Sequence, residues 1–319
     1  MLKSILSLFS GIGAFLVGMK LVSQKLQTVA GGKVEELFKR LGSSRLMSIG
    51  VGVGSSAVLQ SSSATTVILV SLVNSGLITL LQATCIIMGA NVGTTFTALF
   101  ISFNYLPIGD IFAFFTFLGA FIFMASSKER VSAFGWIVAS CGLMFIGLNL
   151  IKSSALSLAE FPSFRSIFYN VNSPFILLLL GAVFTAIIQS SSALTGIVIT
   201  FAFFDVMPLT CAFYLIMGGN VGSCATALLA SLGGSVNAKR TALINLIFNG
   251  LGVLIFLPFL IVFGKKITSF LSNFTPSVVI AYFHVVFNLL TTILLLPFAK
   301  KITDLSILLI EDKKQKIYL

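Results

Sequence analysis

Two seven-residue stretches, QSSSATT at Gln60–Thr66 and QSSSALT at Gln189–Thr195, sit in the middle of long apolar runs. In apolar surroundings an unpaired hydroxyl or amide costs free energy, so groups placed there have a use. Gln60, Ser61, Ser62 and Ser63, with Gln189, Ser190, Ser191 and Ser192, offer short donors that cap a helix and bind an oxyanion at its positive end. A second pair of motifs follows each first one, Gly89-Ala-Asn91-Val-Gly93 and Gly218-Gly-Asn220-Val-Gly222. Glycines flanking one Asn predict a helix break whose freed carbonyls ligate a small cation, with more oxygen from Thr94, Thr95, Ser223 and Thr226. Small residues in membrane helices also permit plain close packing. That suffices for a single serine, but not for QSSS duplicated at two midpoints.

Titratable chemistry is scarce in these motifs. Of the nine acidic residues, Asp110 and Asp205 alone fall near the interior of apolar segments, and both read as interfacial. The single His284 lies in AYFHVVFN, within a span. A serine hydrolase needs a base beside its nucleophile, and neither motif contains one; the chain does not read as an enzyme. Neutral oxygens favour a hard cation such as sodium over a proton relay.

The elements that hold the motifs come from a duplication. Shifted by 129 positions, residues 60–99 overlay 189–228 without a gap, with 18 of the 40 positions identical. The same shift carries Gly13 and Gly18 onto Gly142 and Gly147. The apolar run 46–74 is about 43 Å long as a continuous helix, too long for one comfortable crossing of a ~30 Å hydrocarbon core. Gln60 divides it into two arms, and Gln189 divides 174–204 in the same way. Each run therefore predicts a re-entrant helical hairpin with QSSS at its tip. Three spans, 5–25, 77–101 and 106–126, then separate equivalent points of the copies, and an odd number inverts the second copy. Spans 241–263 and 278–299 follow. The less apolar segments 27–44 and 153–172 predict interfacial helices.

The basic residues fit this topology. One side receives Lys3, Lys152, Arg165, Lys265 and Lys266. The other receives Lys20, Lys25, Lys33, Lys39, Arg40, Arg45, Lys128, Arg130, Lys239, Arg240, Lys300, Lys301, Lys313, Lys314 and Lys316. By the positive-inside rule the N-terminus lies outside and the C-terminus in the cytoplasm of a cell (inner) membrane. The expected organisation is a first inverted repeat over 1–130 (hairpin 46–74, broken span 77–101) and a second over 131–264 (hairpin 174–204, broken span 207–232). Residues 265–319 add a last helix and a short basic cytoplasmic tail.

Composition agrees with that class. The chain is 57% hydrophobic and 9% charged, with a mean hydropathy of +1.09, far from the ~25% charged residues of soluble domains. It reads as an all-α polytopic membrane protein with two inverted-topology repeats; a barrel would show short alternating segments. The net charge of +11 follows from the loops and implies no nucleic acid. Cys85, Cys141, Cys211 and Cys224 show no CxxC spacing and read as buried thiols. The first segment lacks an A-x-A site and has an internal twin, so it reads as structure rather than a leader. Inverted repeats with interrupted helices are the architecture of secondary transporters, with substrate held near the midplane.

On these residues, QSSSATT with GANVGTT and QSSSALT with GGNVGSC, the sequence resembles the type II sodium–phosphate cotransporter family over about residues 5–300. The resemblance implies sodium-driven import of inorganic phosphate by alternating access, with another oxyanion such as sulfate the alternative. It implies phosphate contacts from Gln60–Ser63 and Gln189–Ser192, and sodium contacts from Thr65, Thr66, Asn91, Thr94, Thr195, Asn220 and Ser223. Sodium is the coupling ion and no cofactor is implied. The remaining partner is membrane lipid, and assembly is open between monomer and homodimer. The chain is expected to be a short bacterial-type member without a C-terminal regulatory domain. It departs from the family where the HxxFN element reads Asn245-Leu-Ile-Phe248-Asn249; His284-Val-Val-Phe287-Asn288 stands one span later, and 106–126 lacks the element.

Overall fold

The structure is a computed structural model that describes residues 1–39, 44–102, 109–171 and 173–312, the side chains of 39, 109 and 110 excepted. Arg40, Lys313, Lys314, Lys316 and the side chains of Lys39 and Asp110 thus lie outside what the structure describes. Among the described residues every regular element is helical. Six helices among the described residues are long and apolar enough to cross a membrane, and the chain is a multi-pass membrane protein.

The first helix, α1 (Leu2–Lys39), is one continuous rod. The separate interfacial helix expected from residue 27 is therefore absent over 27–39: the helix continues through Gly31 and Gly32, with no proline there to break it. Next come α2 (Arg45–Leu59), α3 (Ser62–Asn74), α4 (Leu80–Gly93), α5 (Thr95–Ser102) and α6 (Gly109–Ala125). The second half repeats the order with α7 (Glu129–Ala159), the short α8 (Pro162–Tyr169), α9 (Pro174–Ile188), α10 (Ser191–Phe203) and α11 (Leu209–Ser231). Two long helices follow, α12 (Val236–Leu271) and α13 (Pro276–Leu295), then a 3₁₀ turn (Leu296–Phe298) and α14 (Ala299–Leu309). Residues 300–309, at the start of the expected basic tail, are thus helical.

The duplication is visible in the packing. Ile49 of α2 lies against Gly89 of α4, and Val53 against Gly93; one repeat later Leu178 of α9 meets Gly218 of α11, and Ala182 meets Gly222. Both members of each pair advance by four residues, so α2 runs parallel to α4, and α9 to α11. The helix between them, α3 or α10, must lead the chain back. A Cβ on Gly52, Gly89, Gly93, Gly181, Gly218 or Gly222 would fall 2.0–2.3 Å from a carbonyl oxygen of the facing helix.

These contacts correct the expected broken span 207–232 but not that of 77–101, which is interrupted at Thr94 between α4 and α5. The α11 helix runs unbroken over Leu209–Ser231, and α4 and α5 are parted at Thr94 alone within one run, Leu80–Ser102, long enough to cross a membrane. The Gly-x-x-x-Gly spacing serves the close approach of two helices, as small residues do in membranes.

The two copies meet where α1 crosses α7. Gly18 abuts Met144, and Gly147 abuts Phe15. The 129 shift turns each contact into the other, which is the signature of a two-fold relation. Gly11 faces Ile151 while Gly18 faces Met144, so these equivalent helices run antiparallel. Phe15, Phe145 and Leu148 are buried at the crossing and join the core built around α10 and α11. The α12 helix packs on α11 and α3, whereas α13 packs on α5 and α10. Because the shift relates α3 to α10 and α11 to α4–α5, α13 takes beside copy one the place of α12 beside copy two.

Candidate functional site

Each QSSS forms the link between two helices, and the local chemistry is the same twice. Gln60 ends α2 in the left-handed region (φ 50°) with its N–H bonded to the Ser56 carbonyl. Gln189 ends α9 at φ 59°, with its N–H on the Thr185 carbonyl. Such a backbone is uncommon for a residue with a Cβ, and the surroundings must hold it. Ser61 then starts α3, its hydroxyl accepting from the Ala64 N–H at 3.0 Å. Ser190 starts α10 in the same way, accepting from Ala193 at 3.3 Å and lying 3.1 Å from the Ser192 hydroxyl. The first-turn N–H groups behind each cap lack carbonyls within their own helix and carry its positive end.

The two tips converge. Gln60, Ser61, Ser62 and Ser63 line one cavity of about 430 Å³ together with Gln189, Ser190, Ser191 and Ser192, 129 residues away. Thr94 and Ile187–Ile188 complete that wall, and α1 contributes Leu16, Met19, Lys20, Ser23 and Gln24 opposite. Ser23 Oγ also donates to the Leu59 carbonyl at 3.3 Å, tying α1 to the first tip. The polar part of the lining is hydroxyls, amides and one ammonium, with no carboxylate among the described residues. Such a site suits a small oxyanion.

Thr94 alone of the seven sodium candidates reaches this cavity. The others stand buried behind it. Thr65, Thr66 and Thr195 return their hydroxyls to the carbonyls of Ser61, Ser62 and Ser191. Asn91 donates to the Ile87 carbonyl, and Ser223 to that of Asn220. Asn220 has both ends of its amide engaged: Nδ2 donates to Asn288 Oδ1 at 2.7 Å, and Oδ1 is 3.2 Å from His284 Nε2. Nε2 must then carry the hydrogen, leaving Nδ1 of His284 buried and without a partner among the described residues. His284 is thus part of a buried amide–imidazole cluster joining α13 to α11.

Sequence reasoning missed two features. Lys20, which the charge pattern assigns to a cytoplasmic flank, lines the cavity. The only prior signal was its place inside an apolar segment. Ser56 and Thr185, equivalent under the shift and one turn before each Gln, have buried hydroxyls without partners among the described residues, as does Thr226.

A family model described as Na+/Pi-cotransporter matches residues 14–154 and 152–274, one match for each half. The chain belongs to this family. It is 32% identical to an uncharacterized protein, YqeW, of Bacillus subtilis (strain 168), over 94% of this chain and 96% of that one. It is 26% identical to the putative inorganic phosphate export protein YjbB of Escherichia coli (strain K12), over 98% of this chain but 57% of that one. The human sodium-dependent phosphate transport protein 2B is 34% identical over 118 residues, 33% of this chain and 17% of that one. No solved structure is a significant match.

Proposed function

We propose that the protein is a sodium-coupled secondary transporter of inorganic phosphate that works by alternating access and imports its substrate. The observation that carries this reading is the convergence of both QSSS tips on one cavity. In it, Gln60–Ser63 and Gln189–Ser192 hold phosphate, and α2–α3 and α9–α10 are re-entrant hairpins of two inverted repeats, 1–130 and 131–264, followed by 265–319. The parallel α2–α4 and α9–α11 pairs and the antiparallel α1–α7 crossing support the hairpins and the inversion. Sodium is held around Thr65, Thr66, Asn91, Thr94, Thr195, Asn220 and Ser223. The unpaired hydroxyls of Ser56, Thr185 and Thr226 leave oxygen for a cation close by.

Coupling follows from charge. Carrying a phosphate dianion into a negative cell costs about 4.6 kcal/mol per 100 mV, from ~2.3 per charge, so import needs at least two cations to cancel that term. The host is a cell membrane with the N-terminus outside and the C-terminus in the cytoplasm. A second reading, export, is favoured by the name of the E. coli relative. Radiolabelled phosphate flux in oriented proteoliposomes, with the sodium gradient imposed in each direction, tests both. Inward flux driven by inward sodium supports import; flux indifferent to sodium sinks the coupling, and sulfate outcompeting phosphate replaces the substrate.

A further inference from the structure

We infer that Lys20 is the anion anchor of the cavity. Its ammonium supplies the one fixed positive charge against which phosphate is held between the tips. This rests on the reading of the cavity as the phosphate site, and adds to it a residue on α1, outside both QSSS motifs.

Four observations carry the inference. Lys20 lines the cavity with both tips, and every other polar residue there is a serine, a threonine or a glutamine. Neutral donors alone hold any oxyanion, whereas a cation adds a charge-assisted contact that scales with the charge of the ligand. Lys20 is exposed, and its ammonium makes no hydrogen bond or ion pair among the described residues. No acidic residue lines the cavity to neutralise it.

Depth is the third observation. The reciprocal contacts Gly18–Met144 and Gly147–Phe15 put the two-fold relation between residues 15 and 18 of α1. With that axis in the membrane plane, Lys20 stands about 5 Å along the helix from the midplane. The hydrocarbon half-thickness is about 15 Å, so Lys20 is no flanking residue. Ionisable groups at such depth are costly and line substrate or ion pathways. The fourth observation is asymmetry. The shift that superposes the motifs carries Lys20 onto Asn149, so copy two brings no equivalent cation. One ammonium offsets one charge of a phosphate dianion while it is bound.

The test is equilibrium binding of radiolabelled phosphate to the purified full chain. Lys20→Gln should weaken binding about ten- to a hundredfold, the worth of one hydrogen bond to a charged group, while Lys20→Arg should stay within about threefold. Lys20→Cys, in a Cys141→Ser background because the other three cysteines are buried, gives a readout within one folded molecule. Attaching an ethylammonium thiol reagent should restore affinity, and a sulfonate reagent of similar size should not. Unchanged affinity in Lys20→Gln, or equal effects of the two reagents, overturns the role of Lys20 alone. If the unsubstituted protein binds no phosphate, both this inference and the phosphate reading of the cavity fall.

Discussion

Gly218→Ala should loosen the contact on which the second tip is mounted. A Cβ built at Gly218 lies 2.0 Å from the Leu178 carbonyl oxygen and 2.8 Å from its carbon. Real Cβ atoms essentially never come within 3.0 Å of such atoms, so α9 and α11 must part by about 1 Å. Neither side has a flexible end to swing away, since the opposing atoms are all main chain. Overpacking costs typically 1–3 kcal/mol, and rigid backbone on both faces puts this case near about 3 kcal/mol. Gly50→Ala and Gly54→Ala are the controls: they face nothing within 4 Å, so better helix propensity should leave them neutral or stabilised by up to about 1 kcal/mol. Thermal stability in detergent, followed by monodispersity on size exclusion, reads the difference as a fall of several degrees for Gly218→Ala and none for the controls. If Gly218→Ala melts with the unsubstituted protein while sodium dependence alone shifts, the close-packing account is wrong and the glycine belongs to a cation site.

Other expectations follow from the same geometry. Ser62→Ala and Ser191→Ala should each raise the KM for phosphate uptake about ten- to a hundredfold by removing a donor to a charged ligand; uptake at the ordinary KM would refute their assignment. Gln60→Gly and Gln189→Gly relieve a left-handed backbone, so melting should rise by up to about 1 kcal/mol equivalent while uptake falls; a loss of stability would contradict this. His284→Leu leaves Asn220 Oδ1 buried and unpaired, a cost of about 1–3 kcal/mol that a melting curve should show. Asp205 has φ 54° where copy one has Gly76, and it accepts from Arg165 and Tyr169. That pair is exposed, so a double-mutant cycle on Arg165 and Asp205 in thermal melts should show the two substitutions acting additively, and a clear coupling would contradict this.

The helix on either side of each QSSS was legible because run length and a central polar cluster are local signals. The predicted runs 46–74 and 174–204 fall on α2–α3 and α9–α10 to within a residue or so, with the breaks at Gln60–Ser61 and Gln189–Ser190. The second glycine motif misled because a glycine that admits a neighbouring backbone is spelled like one that breaks a helix; only the position of Leu178 against Gly218 tells them apart. Lys20 was not read as a lining residue because a hydropathy window locates a span but not which of its side chains border a cavity. The partners of Asn220 come from α13, 64 and 68 residues further on, and no local pattern announces a meeting at that separation.

The α1–α7 crossing has the form of a contact between two identical molecules, yet it joins two parts of one chain. In a true homodimer every substitution is made twice, once on each side of the axis. Within a single polypeptide that obligation is lifted. A lysine at 20 can face an asparagine at 149, and a glycine at 76 can answer an aspartate at 205. The covalent link thus lets a nearly symmetric scaffold carry a lopsided site, with charge on one wall and none on its twin.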